Sequence, residues 1–346
     1  MPDYTTIEMI EAIELTPPVR TFLSRTFFPQ EHTHIAEKVE FDVRKGKRIM
    51  APFVSPRIGG KVITRQGFNT KEFSTPIIAP EREMSIDDIT KRGIGENLYS
   101  TKTPEERENT LLARDYQDLD ESIQRRIEWM ARSILFTGKL DIVDEENGVD
   151  VQVDYGFDNI YVMSSSQYWS VGTVNPMPIL KKIRRQIIKE SGAAPNILIM
   201  GSVVIDDFLE NSFIKEAINK LNLKNITIEP RVIDSALTFY GRIAELDLDI
   251  YSYDEYFIDD NKEENGIIPA NACLMANSNG IGSIEYGLIT QYEKDEKAHS
   301  YEAKKVPKVY VDHEVKKLRI TSRPLPRPIN VESWAVIYPN GEGEEE

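Results

Sequence analysis

The chain has one cysteine, four histidines and a deficit of basic residues among its 346 positions. A lone Cys273 excludes an internal disulfide and a multi-cysteine zinc site. No stretch approaches the roughly 20 apolar residues that a membrane-crossing helix needs. Met1 to Glu14 carries acids and no base, so the positive start of a secretory signal is missing and synthesis inside a cell is expected. Lys and Arg total 42 against 57 Asp and Glu, a formal net charge of −15. A protein that grips DNA phosphates needs a basic face. This one repels nucleic acid on average, and only a local basic patch would hold it. No repeat of fixed period is visible, and the one low-complexity segment is the acidic tail Gly341 to Glu346.

What remains is an ordinary globular composition, 40% apolar and 29% charged. Ile7 to Leu15 reads as a short amphipathic helix ended by Pro17-Pro18. Phe22-Leu23 and Phe27-Phe28 follow, and these apolar residues need a surface to cover them, either the chain's own core or a neighbour's. Val39, Phe41 and Val43 alternate with polar residues, as in a strand. Pro52, Pro56, Gly59 and Gly60 then forbid a central strand. Lys61 to Arg65 and Thr70 to Ser74 are two short polar strands, with Gln66 to Asn69 as the turn between them. Such a hairpin has too few apolar residues for its own core, and two strands alone are marginal in water.

The clearest element is a helix from Thr103 to Thr137. Thr103-Pro104-Glu105-Glu106 is a capping box with proline at the first helical position. Leu112, Tyr116, Leu119, Ile123, Ile127, Met130 and Ile134 recur at three- and four-residue spacing, and Gly138 supplies the stop. Asp115 to Asp120 is a point for a kink, because Asp is a poor interior helix residue. Asn147-Gly148 predicts a turn between strands at Leu140 to Val143 and Val149 to Val153. An α/β unit follows, with a helix over Pro178 to Ser191, a strand over Asn196 to Met200 and one or two helices over Val203 to Asn219. Leu246, Leu248 and Ile250 alternate with Asp247, Asp249 and Tyr251, which predicts a half-exposed strand. Another strand covers Ala272 to Met275. Lys308 to Tyr338 alternates again and is expected to return onto earlier strands.

Several residue groups raise chemical alternatives. Asn279-Gly280-Ile281-Gly282-Ser283 lacks the spacing of a dinucleotide fingerprint and reads as a turn. Gly201-Ser202 lacks the further glycines and lysine of a phosphate loop. His32 and His34 flank Thr33 without a third metal ligand in view and read as solvated. Asp247, Asp249, Asp254, Glu255, Asp259, Asp260, Glu263 and Glu264 form an acidic group that could bind calcium or perform hydrolysis. It reads more simply as a solvated strand face and a hairpin tip.

An ordered series of phrases then carries a resemblance. Tyr4-Thr5-Thr6, Phe27-Phe28, Glu37-Lys38-Val39, Met50 to Pro56, Gly60 to Ile63, Gly67, Glu72-Phe73 and Pro76 resemble the major capsid protein E family of lambda-like phages. Leu135 to Leu140, Val149 to Asp154, Ile197 to Met200, Phe239-Tyr240-Gly241, Ile250 to Ser252, Ile268 to Asn271 and Leu274 to Asn277 continue it. The resemblance implies an α+β chain with the Hong Kong 97 capsid fold: an N-terminal arm, an extended β-hairpin loop, a long spine helix, a peripheral domain and an axial α/β domain. The expected segments are the arm at 1–33, strand and extended loop at 34–102, spine helix and peripheral domain at 103–175, axial domain at 176–292, and return strands with the acidic tail at 293–346. The loop itself spans about Arg48 to Pro80.

The implied function is that of a head subunit without enzymatic activity or cofactor. It would assemble with itself through pentamers and hexamers into an icosahedral shell around double-stranded DNA, with no sequence-specific grip on that DNA and no membrane. A weakly repulsive lining would let the genome slide. The expected interface residues on the loop are Arg57, Gly59, Gly60, Lys61, Arg65 and Lys71. No long helical extension precedes the arm, so a scaffolding protein would be separate; a portal and a decoration protein are further expected partners. Alternatives are a cellular protein-shell compartment of the same fold and a hydrolase using the acidic group.

Overall fold

The structure is a computed structural model that describes residues 21–36, 38–43, 69–91, 103–144, 149–219, 226–234, 236–258, 262–293 and 296–341. From the N-terminal side, α1 (Phe22–Phe27) leads into β1 (Gln30–Thr33), β2 (Lys38–Val43), β3 (Asn69–Ser74), β4 (Glu81–Met84), α2 (Ile86–Thr90) and the long α3 (Pro104–Thr137). Then come β5 (Lys139–Asp144), β6 (Val149–Asp154), β7 (Ile160–Val162), α4 (Met177–Ser191), β8 (Ile197–Met200), α5 (Ser202–Glu210) and α6 (Ser212–Asn219). The rest is mostly strand: β9 (Ile226–Val232), β10 (Leu237–Ile243), β11 (Leu248–Tyr253), β12 (Tyr256–Ile258), β13 (Glu264–Gly266), β14 (Cys273–Ala276) and β15 (Gly282–Tyr286). Finally β16 (Ile289–Tyr292), β17 (Ala298–Tyr301), β18 (Lys305–Asp312), β19 (Val315–Ser322), β20 (Pro324–Pro328) and β21 (Ala335–Tyr338) complete the chain.

Helix α3 forms because both of its ends are specified locally. Glu106 N–H donates to Thr103 Oγ1 at 3.2 Å, and Thr103 N–H donates to Glu106 Oε2 at 2.8 Å, so the box is reciprocal. Gly138 stops the helix at φ 70°, with its N–H on the Ile134 carbonyl at 3.0 Å. At 1.5 Å per residue the rod is about 51 Å long. It is one uninterrupted helix through Asp115 to Asp120. Those acids are occupied: Arg82 bridges Asp115 and Asp118, and Lys305 pairs with Asp120.

By backbone contacts the chain forms two compact units. The first comprises Met1–Val39, Ser74–Ala131 and Ser283–Arg327. In it, β18 and β19 form a hairpin whose register ends at Asp312↔Val315, and β19 also pairs with β4. The two turn residues, His313 and Glu314, both have positive φ, which is the backbone of a type I′ turn built without glycine or asparagine. A second sheet orders β1-β15-β20, with β1 parallel to β15. Leu23, Phe27 and Phe28 are fully buried, so the leading apolar residues cover this chain's own core.

The second unit comprises Glu40–Phe73, Arg132–Gly282 and Pro328–Glu346. Its sheet has seven strands in the order β7-β21-β14-β8-β11-β10-β9. Every residue of β8 and β14 is buried, as two-sided burial requires. Helix α4 contributes Leu180, Ile183 and Ile187 and α5 contributes Val204, Ile205 and Phe208 to the same core. Trp334 stacks on Phe157 at 4.9 Å between centroids, and its indole N–H donates to the Leu135 carbonyl at 2.9 Å.

The expected partner of β3 at Lys61 to Arg65 lies outside the described residues, where β3 is seen to pair with β2. Two expectations need correction. Leu246 and Asp247 belong to the turn before β11 and not to the strand, Asp247 having φ 53°. Strands β9 and β10 were not anticipated at all. Gly241 sits in a bulge of β10 with φ 157°, where a Cβ would meet the Thr227 carbonyl oxygen at 2.0 Å.

Candidate subunit-interface site

Of the six expected loop residues, Arg57, Gly59, Gly60, Lys61 and Arg65 lie outside the described residues, as does the Ile7 to Leu15 helix. Lys71 is the third residue of β3. Among the described residues, β2 and β3 form a two-stranded sheet, with residues 44–68 between them. It is one of four two-stranded sheets among the described residues.

The first unit anchors its N-terminal segment by polar contacts. Buried Glu128 of α3 accepts from Leu23 N–H at 2.6 Å, Ser24 N–H at 2.9 Å and Ser24 Oγ at 2.7 Å. A carboxylate thus satisfies orphan donors of α1 while meeting the positive end of that helix. Just beyond, Glu285 on β15 lies 2.7 Å from the His34 ring and 3.3 Å from Arg327, and it accepts from Ser283 Oγ at 2.6 Å. Burial opposes ionisation of Glu285, but the Ser283 and His34 hydrogen bonds and the Arg327 charge outweigh it and hold its carboxyl below the usual range. His34 is therefore engaged and not the solvated residue expected, whereas His32 is exposed.

The chemical alternatives separate in space. Arg242 pairs with Asp247 in the turn and with Asp249 at 3.4 Å, and Asp254 accepts from Ser252 Oγ at 2.7 Å. Glu264 belongs to β13, which pairs with β12; Asp259 and Asp260 lie outside the described residues, and the described acids of the group are divided among a turn, two strand systems and a loop. Gly201 does start α5, but the pieces of a phosphate loop are filled by protein. Val204 N–H points to the Ala270 carbonyl at 3.4 Å, and a Cβ on Gly201 would meet the Pro269 carbonyl at 2.2 Å. Asn279 to Ser283 is a turn running into β15, with Gly280 at φ 84°. Among the described residues no group of His, Cys, Asp and Glu could hold a metal ion, and no helix is long and apolar enough to cross a membrane. Sequence reasoning missed Glu128 and Glu285. A glutamate among apolar positions of a helix (Ile127, Met130) and one inside an apolar strand (Ile284, Tyr286) were the available signals.

The mixed helix and strand architecture, with a long capped helix and an α/β unit later in the chain, is of the Hong Kong 97 capsid type. A prophage protein of Escherichia coli CFT073, described as a capsid protein, superposes with TM-score 0.68 at 18% identity over 94% of each chain. A phage-related protein of Bordetella bronchiseptica RB50 gives TM-score 0.56 at 12% identity over 97% of each. The sequence model described as phage major capsid protein E matches residues 5–335, and the chain belongs to that family. It is 24% identical to the major capsid protein of Escherichia phage lambda and 23% identical to that of Escherichia phage N15, in both cases over 83% of this chain and 84% of the relative. The chain is thus a major capsid protein of the tailed-phage kind, a structural subunit that assembles into oligomeric shells.

Proposed function

We propose that this subunit builds an icosahedral phage head through pentamers and hexamers, and that the hairpin rooted in β2 and β3 is the extended loop by which each copy holds the next. The observation that carries this reading is that root: a two-stranded sheet outside the large sheets, at the ends of a segment rich in Gly, Pro and cations. Two strands alone are marginal in water, and a neighbouring copy is a surface that would complete them. In this reading residues 1–33 are the arm, 34–102 the strand and extended loop, 103–175 the spine and peripheral domain, 176–292 the axial domain and 293–346 the return strands and tail. Arg57, Lys61, Arg65 and Lys71 pair with acidic surface of the next subunit, and Gly59 and Gly60 let the loop lie close to it. A chain of net charge −15 has acid to spare for such contacts.

Head-to-tail contacts of this kind close into rings. Each is modest, because association and side-chain ordering offset much of the area gained, and modest contacts permit correction before closure. The subunit is synthesised in the host cytoplasm and performs no catalysis. A separate scaffolding protein, a portal, a decoration protein and packaged double-stranded DNA complete its partners. The test is the double charge reversal Lys61→Glu with Arg65→Glu in the full chain. The expected result is an unchanged circular dichroism spectrum with loss of shells by electron microscopy. Intact shells from that variant would refute the loop's role.

A further inference from the structure

Helix α4 turns Leu180, Ile183 and Ile187 into the core. Successive helical residues are about 100° apart, so a residue two positions on points about 200° away. Lys182, Arg185 and Lys189 are therefore a row diametrically opposite the buried row, and all three are exposed. On its flank Lys181 is engaged by Glu245. Among the described residues, the three cations of the row are in no ion pair. With Pro178, Lys181 and Gln186 they line an open groove of about 410 Å³. In a chain of net charge −15, this is the local basic patch that the overall balance argues against.

The geometry suits one occupant. The steps from Lys182 to Arg185 and from Arg185 to Lys189 rise about 4.5 and 6 Å, so the row is about 10.5 Å long. One strand of duplex DNA advances about 3.4 Å along its axis per phosphate, and the row thus faces about three phosphates. A protein segment would need apolar or aromatic anchors at its centre, and the groove offers only Pro178. Phosphates need none, since cations alone supply non-specific affinity.

We propose that the outward face of α4 is where the subunit meets the phosphate backbone of packaged duplex DNA, without reading its sequence. This rests on the reading that the shell encloses double-stranded DNA. Three contacts against a repelling background hold the genome lightly, which is compatible with its sliding in and out.

The test uses the full chain, a labelled random-sequence duplex and a salt series. Three neutralised phosphates give a slope of about −2.7 in log affinity against log salt. The variant Lys182→Gln/Arg185→Gln/Lys189→Gln is expected to bring that slope close to zero and to weaken binding about tenfold or more at low salt. Should the triple variant fail to fold, Arg185→Gln alone is expected to reduce the slope by about 0.9. Unchanged slope and affinity in a folded variant would overturn the assignment. Polyglutamate binding the wild-type row as tightly as the duplex would overturn it in favour of an acidic protein segment. DNA-filled wild-type shells combined with unchanged variant binding would sink the α4 assignment alone, whereas wild-type shells free of DNA would sink the enclosing reading and this one together.

Discussion

In the unit built on the seven-stranded sheet, β8 and β14 place Ile197 to Met200 and Cys273 to Ala276 entirely out of solvent, and Trp334 is fully buried against Phe157. In the other unit the buried set includes Asp120, Glu128, Glu285 and Arg323. There Lys305 neutralises Asp120, Lys316 pairs with Glu108, and Arg323 donates to the Leu288 and Thr75 carbonyls at 3.2 Å each. The first kind of core is stabilised mainly by apolar area removed from water. The second adds directional contacts that work only while the groups keep their charge and geometry. One unit should therefore ignore pH and salt over a range in which the other responds.

The sharpest probe of this contrast is Trp334→Ala. It removes the stacked ring, leaves a cavity and orphans the Leu135 carbonyl, so a loss of about 3–5 kcal/mol is expected in urea denaturation. That loss should be nearly independent of salt. Glu128→Gln comes next, with about 2 kcal/mol expected. An amide retains one acceptor oxygen for three donors and presents its NH₂ to the others. Hydrogen exchange should accelerate first at the Leu23 and Ser24 amides, while β8 and β14 stay protected. Equal acceleration in both units would break the comparison.

The smallest effect is in acid. A carboxyl whose folded-state value lies below its unfolded value contributes stability above the unfolded value, and this is lost as pH falls through the folded one. Glu285 is such a group, so wild-type protein should lose part of its stability as pH falls below the ordinary 4.5 of a glutamate. Glu285→Gln should be less stable near neutrality and should show a shallower decline over that acid range, read by thermal midpoints between pH 3 and about 7. An unchanged decline would remove Glu285 from the account.

Helices α3 and α4 could be read from sequence because their caps lie within three or four residues of the groups they satisfy, and their buried rows repeat every helical turn. Strands β9 and β10 could not. Pro230 and Gly241 interrupt them, and such residues argue against a strand unless its place in the sheet is known. β9 is an edge strand, where proline is tolerated, and Gly241 is at a bulge. The His313-Glu314 turn was equally opaque, since neither residue is a usual former of a type I′ turn. For the candidate site, most of the expected polar hairpin lies outside the described residues, and the pairing of β2 with β3 was not legible in the sequence.

Periodicity and local hydrogen bonding were enough for the sequence to determine the long capped helix α3 and the presence of helix α4. Only the tertiary structure decided that β21 lies between β7 and β14, and that Glu128 receives Leu23 from 105 residues away. The reason is one of range. Helical period and caps are written within a few residues, whereas strand order and buried charge partners depend on which distant segments together lower the cost of leaving water.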